Sequence, residues 1–291
     1  MPEGIIIKAL SGFYYVRSGA ETVECRARGR FRNEGESPLV GDSVDFSTDA
    51  QGRGRVDAIL PRRNCFVRPA VANIDVMVAV ASETNPVTDP FLIDRVTAVA
   101  EHNDCRVVIC INKNDVSPCF RLRDIYASTP YKAILTSAVT GEGIDALRAE
   151  LAGCVCAFSG NSGVGKSSLL NALAPGLSLE VGEVSEKLGR GRHTTRHIEM
   201  FPIGGNAFVA DTPGFASFDV EQMPPIPRDE LQYAFPEFEP YLGRCRFMDC
   251  AHLKEPDCAV TGAVEEGKID RSRYASYARL YEISAKHKDW E

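Results

Sequence analysis

The chain has 291 residues, 44% of them hydrophobic, and a formal net charge of −7. This is enough apolar material for two or three packed units and excludes a disordered chain, while the acidic balance excludes a protein that coats nucleic acid over its whole surface, though not one with a local basic face. No apolar run reaches the roughly 20 residues of a membrane span, Met1-Pro2-Glu3-Gly4 lacks the basic-then-apolar layout of a signal peptide, and in the cytoplasmic, membrane-free protein this implies, ten cysteines read as reduced thiols or metal ligands and not as a disulfide framework.

Residues 1–68 carry short β-rich runs: Ile5 to Ile7, Phe13 to Val16, Thr22 to Arg28, Ser43 to Phe46 and Arg55 to Leu60. Gly12, Gly19, Gly41 and Gly52 punctuate them. About five strands with such turn signals predict a small barrel, most simply an OB-fold. Arg26, Arg28, Arg30 and Arg32 alternate with Ala27, Gly29 and Phe31. In an extended strand these four side chains share one edge. Such a comb suits the phosphate backbone of an RNA; the alternative is a solvated face partnered by Glu24, Glu34 and Glu36.

Residues 69–221 change texture. Ile74 to Ala81 and Arg106 to Ile111 are nearly continuous apolar runs, the pattern of strands buried on both faces in a parallel sheet. Between them, Phe91, Ile93, Val96 and Val99 stand at helical spacing, which gives a βαβ rhythm. The second run ends in Asn112-Lys113-Asn114-Asp115. A carboxylate there can accept from the ring N–H and exocyclic amine of guanine, a donor pair that adenine lacks. The Lys113 stem can lie over the base, and Asn112 can tie this loop to another. A third strand, Tyr131 to Leu135, leads into Ser137-Ala138, whose backbone N–H groups sit where GTPases meet the guanine O6.

Val155 to Phe158 is then a buried strand and Leu169 to Leu173 a helix. Between them runs Gly160-Asn161-Ser162-Gly163-Val164-Gly165-Lys166-Ser167-Ser168, a phosphate-binding loop in its proper strand-to-helix setting. Glycines let successive N–H groups point inward, and the helix N-terminus adds its dipole. Lys166 can reach the β- and γ-phosphates, and the Ser167 hydroxyl can ligate Mg²⁺. Downstream lies the basic, glycine-rich stretch Lys187 to His197, in which Thr194 or Thr195 can complete the Mg²⁺ shell as a switch loop does. Ala207 to Ala210 leads into Asp211-Thr212-Pro213-Gly214. Asp211 can hold Mg²⁺ through water, and the Gly214 N–H can sense the γ-phosphate. The guanine-reading loop precedes the phosphate loop, the reverse of the usual order. The parts are complete but the chain is circularly permuted, which a packed core tolerates because termini on a surface can be relocated.

Residues 222–291 open with Pro224, Pro225 and Pro227 as a linker. Cys245, Cys250, His252 and Cys258 come next at close spacing. Three thiolates and an imidazole fit a closed tetrahedral structural zinc site, with unliganded thiols as the alternative. The remaining cysteines are scattered and read as packing residues. From Arg271 on, Tyr274, Tyr277 and Tyr281 share one helical face, either packing on the cysteine module or facing RNA.

Taken together, Asn112 to Asp115, Gly160 to Ser168, Gly189 to Thr195, Asp211 to Phe215 and the cysteine cluster resemble the RsgA (YjeQ/YloQ) family of circularly permuted, ribosome-associated GTPases, over essentially the whole chain. The resemblance implies an α/β protein of three parts: an OB-fold barrel (1–68), a permuted GTPase domain (69–221) and a zinc-binding domain with helices (222–291). It implies GTP hydrolysis stimulated by the small ribosomal subunit, a role in late maturation of that subunit, contact with its rRNA, and one Zn²⁺ per chain. A monomer is expected. Phe215 stands where many GTPases place the glutamine that orients the attacking water. By chemistry and by the resemblance, His193 is the candidate replacement, with RNA contact or loop shaping as the alternative. Arg190, Arg192 and Arg196 suit either transition-state charge or rRNA phosphate. Two other readings stand beside the GTPase: an RNA-binding module that GTP merely locks, and a P-loop kinase, against which the Asn-Lys-x-Asp and Asp-x-x-Gly patterns count.

Overall fold

Apolar alternation between glycine turns produces β1 (Glu3–Leu10), β2 (Phe13–Ser18), β3 (Glu21–Ala27), β4 (Ser43–Thr48) and β5 (Gly54–Ile59). The computed structural model describes residues 2–29, 31, 37–67, 69–118, 120–174, 176, 198–211 and 223–286. The strand order is β1-β2-β3-β5-β4; β1 also pairs with β4, and β3 runs parallel to β5. That closure makes a five-stranded OB-type barrel, filled by Ile6, Val16, Cys25, Val44 and Val56.

The arginine comb does not form as expected. β3 ends at Ala27, so strand alternation stops before Arg28. Arg26 stacks over the Phe13 ring at 4.7 Å, whereas Arg28 turns to Asp57, 2.6 Å away. Asp57 is 4% exposed, and a buried carboxylate needs a cation. That demand overrides strand periodicity. Arg30 and Arg32 lie outside the described residues.

A hairpin of β6 (Cys65–Val67) and β7 (Ala70–Ala72) leads from the barrel to a second unit. Here β8 (Val76–Ser82), β9 (Arg106–Asn112), β10 (Lys132–Leu135), β11 (Val155–Ser159) and β13 (Ala207–Asp211) are parallel, and β12 (Ile198–Gly204) is antiparallel to β13. Every residue of β8 is buried, as the continuous apolar run requires when both faces are covered. The crossovers are α1 (Pro90–His102), α2 (Phe120–Ile125), α3 (Ile144–Leu151) and α4 (Lys166–Leu173). α1 starts where Asp89 caps the Phe91 N–H at 3.0 Å and Pro90 presets the first turn.

The two units share one sheet. β12 pairs with β1, Lys8 opposite Glu199 and Ala9 opposite Ile198, giving eleven strands in the order β10-β9-β8-β11-β13-β12-β1-β2-β3-β5-β4. The Lys8 ammonium and Glu199 carboxylate meet at 2.8 Å over that join.

The C-terminal module contains α5 (Arg228–Leu231), two 3₁₀ turns over Gln232–Ala234 and Pro236–Tyr241, α6 (Ala259–Glu265) and α7 (Arg271–Lys286). It docks on α1. One face of α1 (Ile93, Val96, Val99) packs on the sheet, while Phe91 and Ala98 join Leu231, Phe235 and Tyr277 in a separate cluster. At the centre of the join is Arg273 on α7, with no exposed surface. Its guanidinium donates to Asp94 of α1 at 2.8 Å, to Thr97 Oγ1 at 3.0 Å, and to both Glu237 oxygens at 2.7 and 3.1 Å. The Phe235 ring lies 4.7 Å from it, and Tyr126 donates its hydroxyl to Asp94 at 2.7 Å.

Removing one member of such a group leaves buried charge unpaired, at a cost of about 3–5 kcal/mol. Arg273→Met is therefore expected to release the C-terminal module from α1. Hydrogen exchange should show α7 and α1 amides losing protection together, while the barrel strands keep theirs. Arg273→Lys, a point charge without the fork, should rescue little.

Candidate nucleotide site and metal cluster

The loops after β8, β9, β10 and β11 all emerge at the carboxyl ends of parallel strands, where open α/β sheets bind ligands. Gly160 leaves β11 with φ +153°, and a Cβ there would stand 2.2 Å from the Val80 carbonyl. Gly165 caps α4 at φ +97°, where a Cβ would stand 2.3 Å from Asn112 Nδ2. Glycine is required at both positions by space as well as by dihedral angle. Asn161, Ser162, Gly163 and the buried Val164 complete the turn, and Lys166, Ser167 and Ser168 form the first turn of α4. The Lys166 ammonium donates to the carbonyls of Gly160 at 2.6 Å and Asn161 at 2.7 Å, across the concave side of the loop.

Asn112 joins this loop to the others. It is 2% exposed. Its Nδ2 donates to the Val164 carbonyl at 2.9 Å, and its Oδ1 accepts the Ala138 N–H at 3.2 Å. The spacing-based expectation that Asn112 ties its loop to the phosphate loop thus has a geometric counterpart. Lys113 adopts φ +70° and donates to the Asn85 carbonyl at 2.6 Å. Asn114 donates from its backbone to Thr136 O at 3.1 Å and from its side chain to Glu142 Oε1 at 2.9 Å. The Ser137 N–H is held by the Glu142 carbonyl at 3.0 Å. The Ala138 bond to Asn112 is long enough to be shared with a second acceptor. Thr84, Asn85, Asn112, Lys113, Asp115, Val116, Ala138, Val139, Gly165 and Ser168 line a cavity of 310 Å³, within the range of small-molecule sites.

Asp211 ends β13, which runs parallel to β11 with Cys156 opposite Val209. Its backbone therefore finishes at the same edge as the phosphate loop. Arg190, Arg192, His193, Thr194, Thr195, Arg196, Gly214 and Phe215 lie outside the described residues.

In the C-terminal module, one donor atom from each of Cys245, Cys250, His252 and Cys258 lies within 4.8 Å of the others, and the group could hold a metal ion. Cys245 and Cys258 sulfurs are 3.8 Å apart, and His252 Nδ1 lies 3.5 and 3.4 Å from them. These separations match the edges of a tetrahedron built on zinc-type bonds, about 3.8 Å for S···S and about 3.5 Å for S···N. Burial lowers the His252 pKa, which keeps the imidazole neutral as a ligand must be. Its Nε2 pairs with Gln232 Oε1 at 2.9 Å, so Nδ1 is left with its lone pair toward the sulfurs. Tyr274 and Tyr277 donate their hydroxyls to the carbonyls of His252 at 2.9 Å and Ala251 at 2.8 Å. The tyrosine face of α7 thus packs on the cysteine module. Cys25, Cys105, Cys110 and Cys156 are buried, and burial pushes the Cys110 thiol up to about 12, so it is inert packing.

Sequence reading missed Gln232, Glu142 and the Asn85 carbonyl, and took Arg273 only as a cation flanking the tyrosines of the last helix. Gln232 sits far from any motif, Arg273 finds its partners on other elements, and Asn85 acts through its backbone. Only Glu142 had a signal, an acidic residue between two glycines shortly after Ser137-Ala138.

Comparison with known proteins bears on both sites. Residues 59–221 match the family model of the RsgA GTPase, and residues 3–56 that of the RsgA N-terminal domain. The small ribosomal subunit biogenesis GTPase RsgA of Caldanaerobacter subterraneus subsp. tengcongensis is 45% identical, covering 98% of this chain and 97% of its own. The protein of the same name from Moorella thermoacetica is 45% identical over 99% of both chains. Among solved structures, YjeQ from Thermotoga maritima superposes with a TM-score of 0.84 at 34% identity over 99% of each chain. YloQ, described as a circularly permuted GTPase, gives 0.80 at 36% identity over 99% of this chain and 96% of that one.

The metal cluster makes a prediction independent of nucleotide. Purified chain should carry about one equivalent of metal, and Cys258→Ser should lose it. Since thiolate ligation couples metal binding to folding, a strong chelator should abolish exchange protection in α6 and α7 while β8 and β9 remain protected.

Proposed function

This chain belongs to the RsgA GTPase family, and on that premise we propose that it hydrolyses GTP on the small ribosomal subunit during late maturation of that subunit. The observation that carries the nucleotide reading is Asn112. One buried side chain bonds both the phosphate loop and the Ser-Ala loop, and so assembles base-reading and phosphate-reading parts around one cavity.

Asp115 accepts from the guanine N1–H and N2 amine, with Lys113 over the ring and the Ala138 N–H toward O6. Gly160, Asn161, Ser162, Gly163, Val164 and Gly165 present backbone N–H groups to the phosphates. Lys166 turns from the loop carbonyls to the β- and γ-oxygens and stabilises the charge that spreads there. Ser167, Asp211 and Thr194 or Thr195 would hold Mg²⁺, which when bound would neutralise charge on the phosphate oxygens. His193 orients the attacking water in place of the glutamine that Phe215 displaces, and the Gly214 N–H senses the γ-phosphate. Cys245, Cys250, His252 and Cys258 would hold one structural Zn²⁺.

The exposed Arg26, stacked on the half-buried Phe13 ring, supports RNA contact by the barrel, with Arg28, Arg30 and Arg32 adding charge. We take 1–68, 69–221 and 222–291 as the functional units of a monomer working in the cytoplasm. Among the described residues no helix is long and apolar enough to cross a membrane.

The test is phosphate release from GTP with isolated small subunits, large subunits and neither. Small subunits alone should stimulate turnover, and His193→Ala should remove most of the stimulation with GTP affinity unchanged. Asp115→Asn should erase the preference for guanine over adenine nucleotides. Stimulation by large subunits, or none by either, would overturn the proposal.

A further inference from the structure

We propose that Glu142 is a positioning residue for base selection: it sets the spacing between the two loops that grip guanine. The inference rests on the nucleotide reading above and goes past it to a residue that no motif contains. Glu142 lies outside Asn-Lys-x-Asp, outside Ser-Ala and outside the cavity lining. Yet it holds the immediate predecessor of each base contact. Its side chain accepts from Asn114 Nδ2 at 2.9 Å, one residue before Asp115. Its backbone carbonyl accepts the Ser137 N–H at 3.0 Å, one residue before Ala138.

The rest of the local bonding makes this arrangement stiff on one side and dependent on Glu142 on the other. The Ser137–Glu142 turn is closed on itself: Gly141 N–H donates to Ser137 O at 2.9 Å, and Thr140 N–H to Ser137 Oγ at 3.1 Å. Gly143 comes next at φ +71°, where a Cβ would stand 2.1 Å from the Leu135 carbonyl. The turn is therefore clamped against the end of β10, and Glu142 projects from a fixed base. The Asn114–Asp115 turn is closed by the Val116 N–H donating to Lys113 O at 3.0 Å, and its attachment to the rest of the site runs through Asn114. Asn112 is tied down by its own side chain, but beyond it the chain passes through Lys113 at positive φ. After that turn, Asn114 is held by its backbone bond to Thr136 O and by Glu142. Both of these lie on the β10 side. A carboxylate acceptor strengthens the second bond, and it fixes the peptide from which Asp115 projects.

Asp115 reads N1–H and the N2 amine, two donors on one edge of the ring, so its angle decides how well both are met at once. Loss of the Glu142 strut should weaken the second contact most. Inosine diphosphate lacks the N2 amine and reports on that contact directly.

The experiment measures affinities of GDP and inosine diphosphate for the full chain by fluorescence competition. Wild type should prefer GDP. Glu142→Ala should weaken GDP about three- to tenfold, the scale of one solvent-exposed hydrogen bond, and weaken inosine diphosphate less, so the ratio between them narrows. Glu142→Gln keeps an oxygen acceptor and should restore the ratio. Asn114→Ala should mimic Glu142→Ala, and the double variant should be no worse than either single one. An unchanged ratio in Glu142→Ala, whether or not both affinities fall, would overturn the assignment. If wild type itself shows no preference for GDP, the reading of Asp115 fails instead, and the two failures are thus distinct.

Discussion

A guanidinium with no access to water decides how the parts of this chain sit together. Arg273 brings one positive charge to two buried carboxylates, Asp94 and Glu237, and to the ring of Phe235. None of these charged groups is tolerable alone in a core, because each would leave unpaired charge or unmet donors. Their pairing fixes α7 on α1 in a single orientation. Apolar contacts around it, Phe91 and Ala98 against Leu231 and Phe235, add area without specifying angle. The pairing also makes α1 a shared element. One end lies next to the loop of Thr84 and Asn85 that lines the cavity, and its middle carries the acceptors for Arg273.

The permutation is easy to reconcile with this packing. A nucleotide site is held together by the bonding among its loops, not by their order along the chain. Asn112 bonds Val164 and Ala138, and those bonds are indifferent to which loop is made first. The cut does alter the path of the chain beyond β13. From there it proceeds to the module that carries the cysteine cluster, and that module returns to α1 through Arg273.

Much of the architecture was legible because single-residue patterns sufficed. The run from Val76 to Ser82 reads as a strand covered on both faces, and it is one; Pro90 to His102 reads as a helix, and it is one. Glycines at 160 and 165 were legible for the same reason, since no other residue fits beside Val80 O and Asn112. The failures share another cause. The run of arginines from Arg26 looked extended, but Asp57 on a neighbouring strand draws Arg28 away, and that demand is invisible in local periodicity. β12 escaped notice because Pro202 and the bulge before Gly204 break its alternation. The site's side chains were readable where chemistry and spacing coincide, as with Cys245, Cys250, His252 and Cys258. Partners such as Gln232 and Glu142, placed by the fold and not by a motif, were not.

The join between β12 and β1 has a consequence of another kind. A strand at the rim of a sheet offers a row of unpaired N–H and C=O groups, and such rims seed pairing between molecules. β12 would be that rim for the nucleotide-binding unit. Instead β1 pairs with its first two residues, Ile198 and Glu199, and the closed barrel has no rim of its own to pass on. The barrel thus covers the beginning of the larger sheet's rim. A chain shortened to begin after it would keep its nucleotide loops yet expose β12, and self-association would be the penalty.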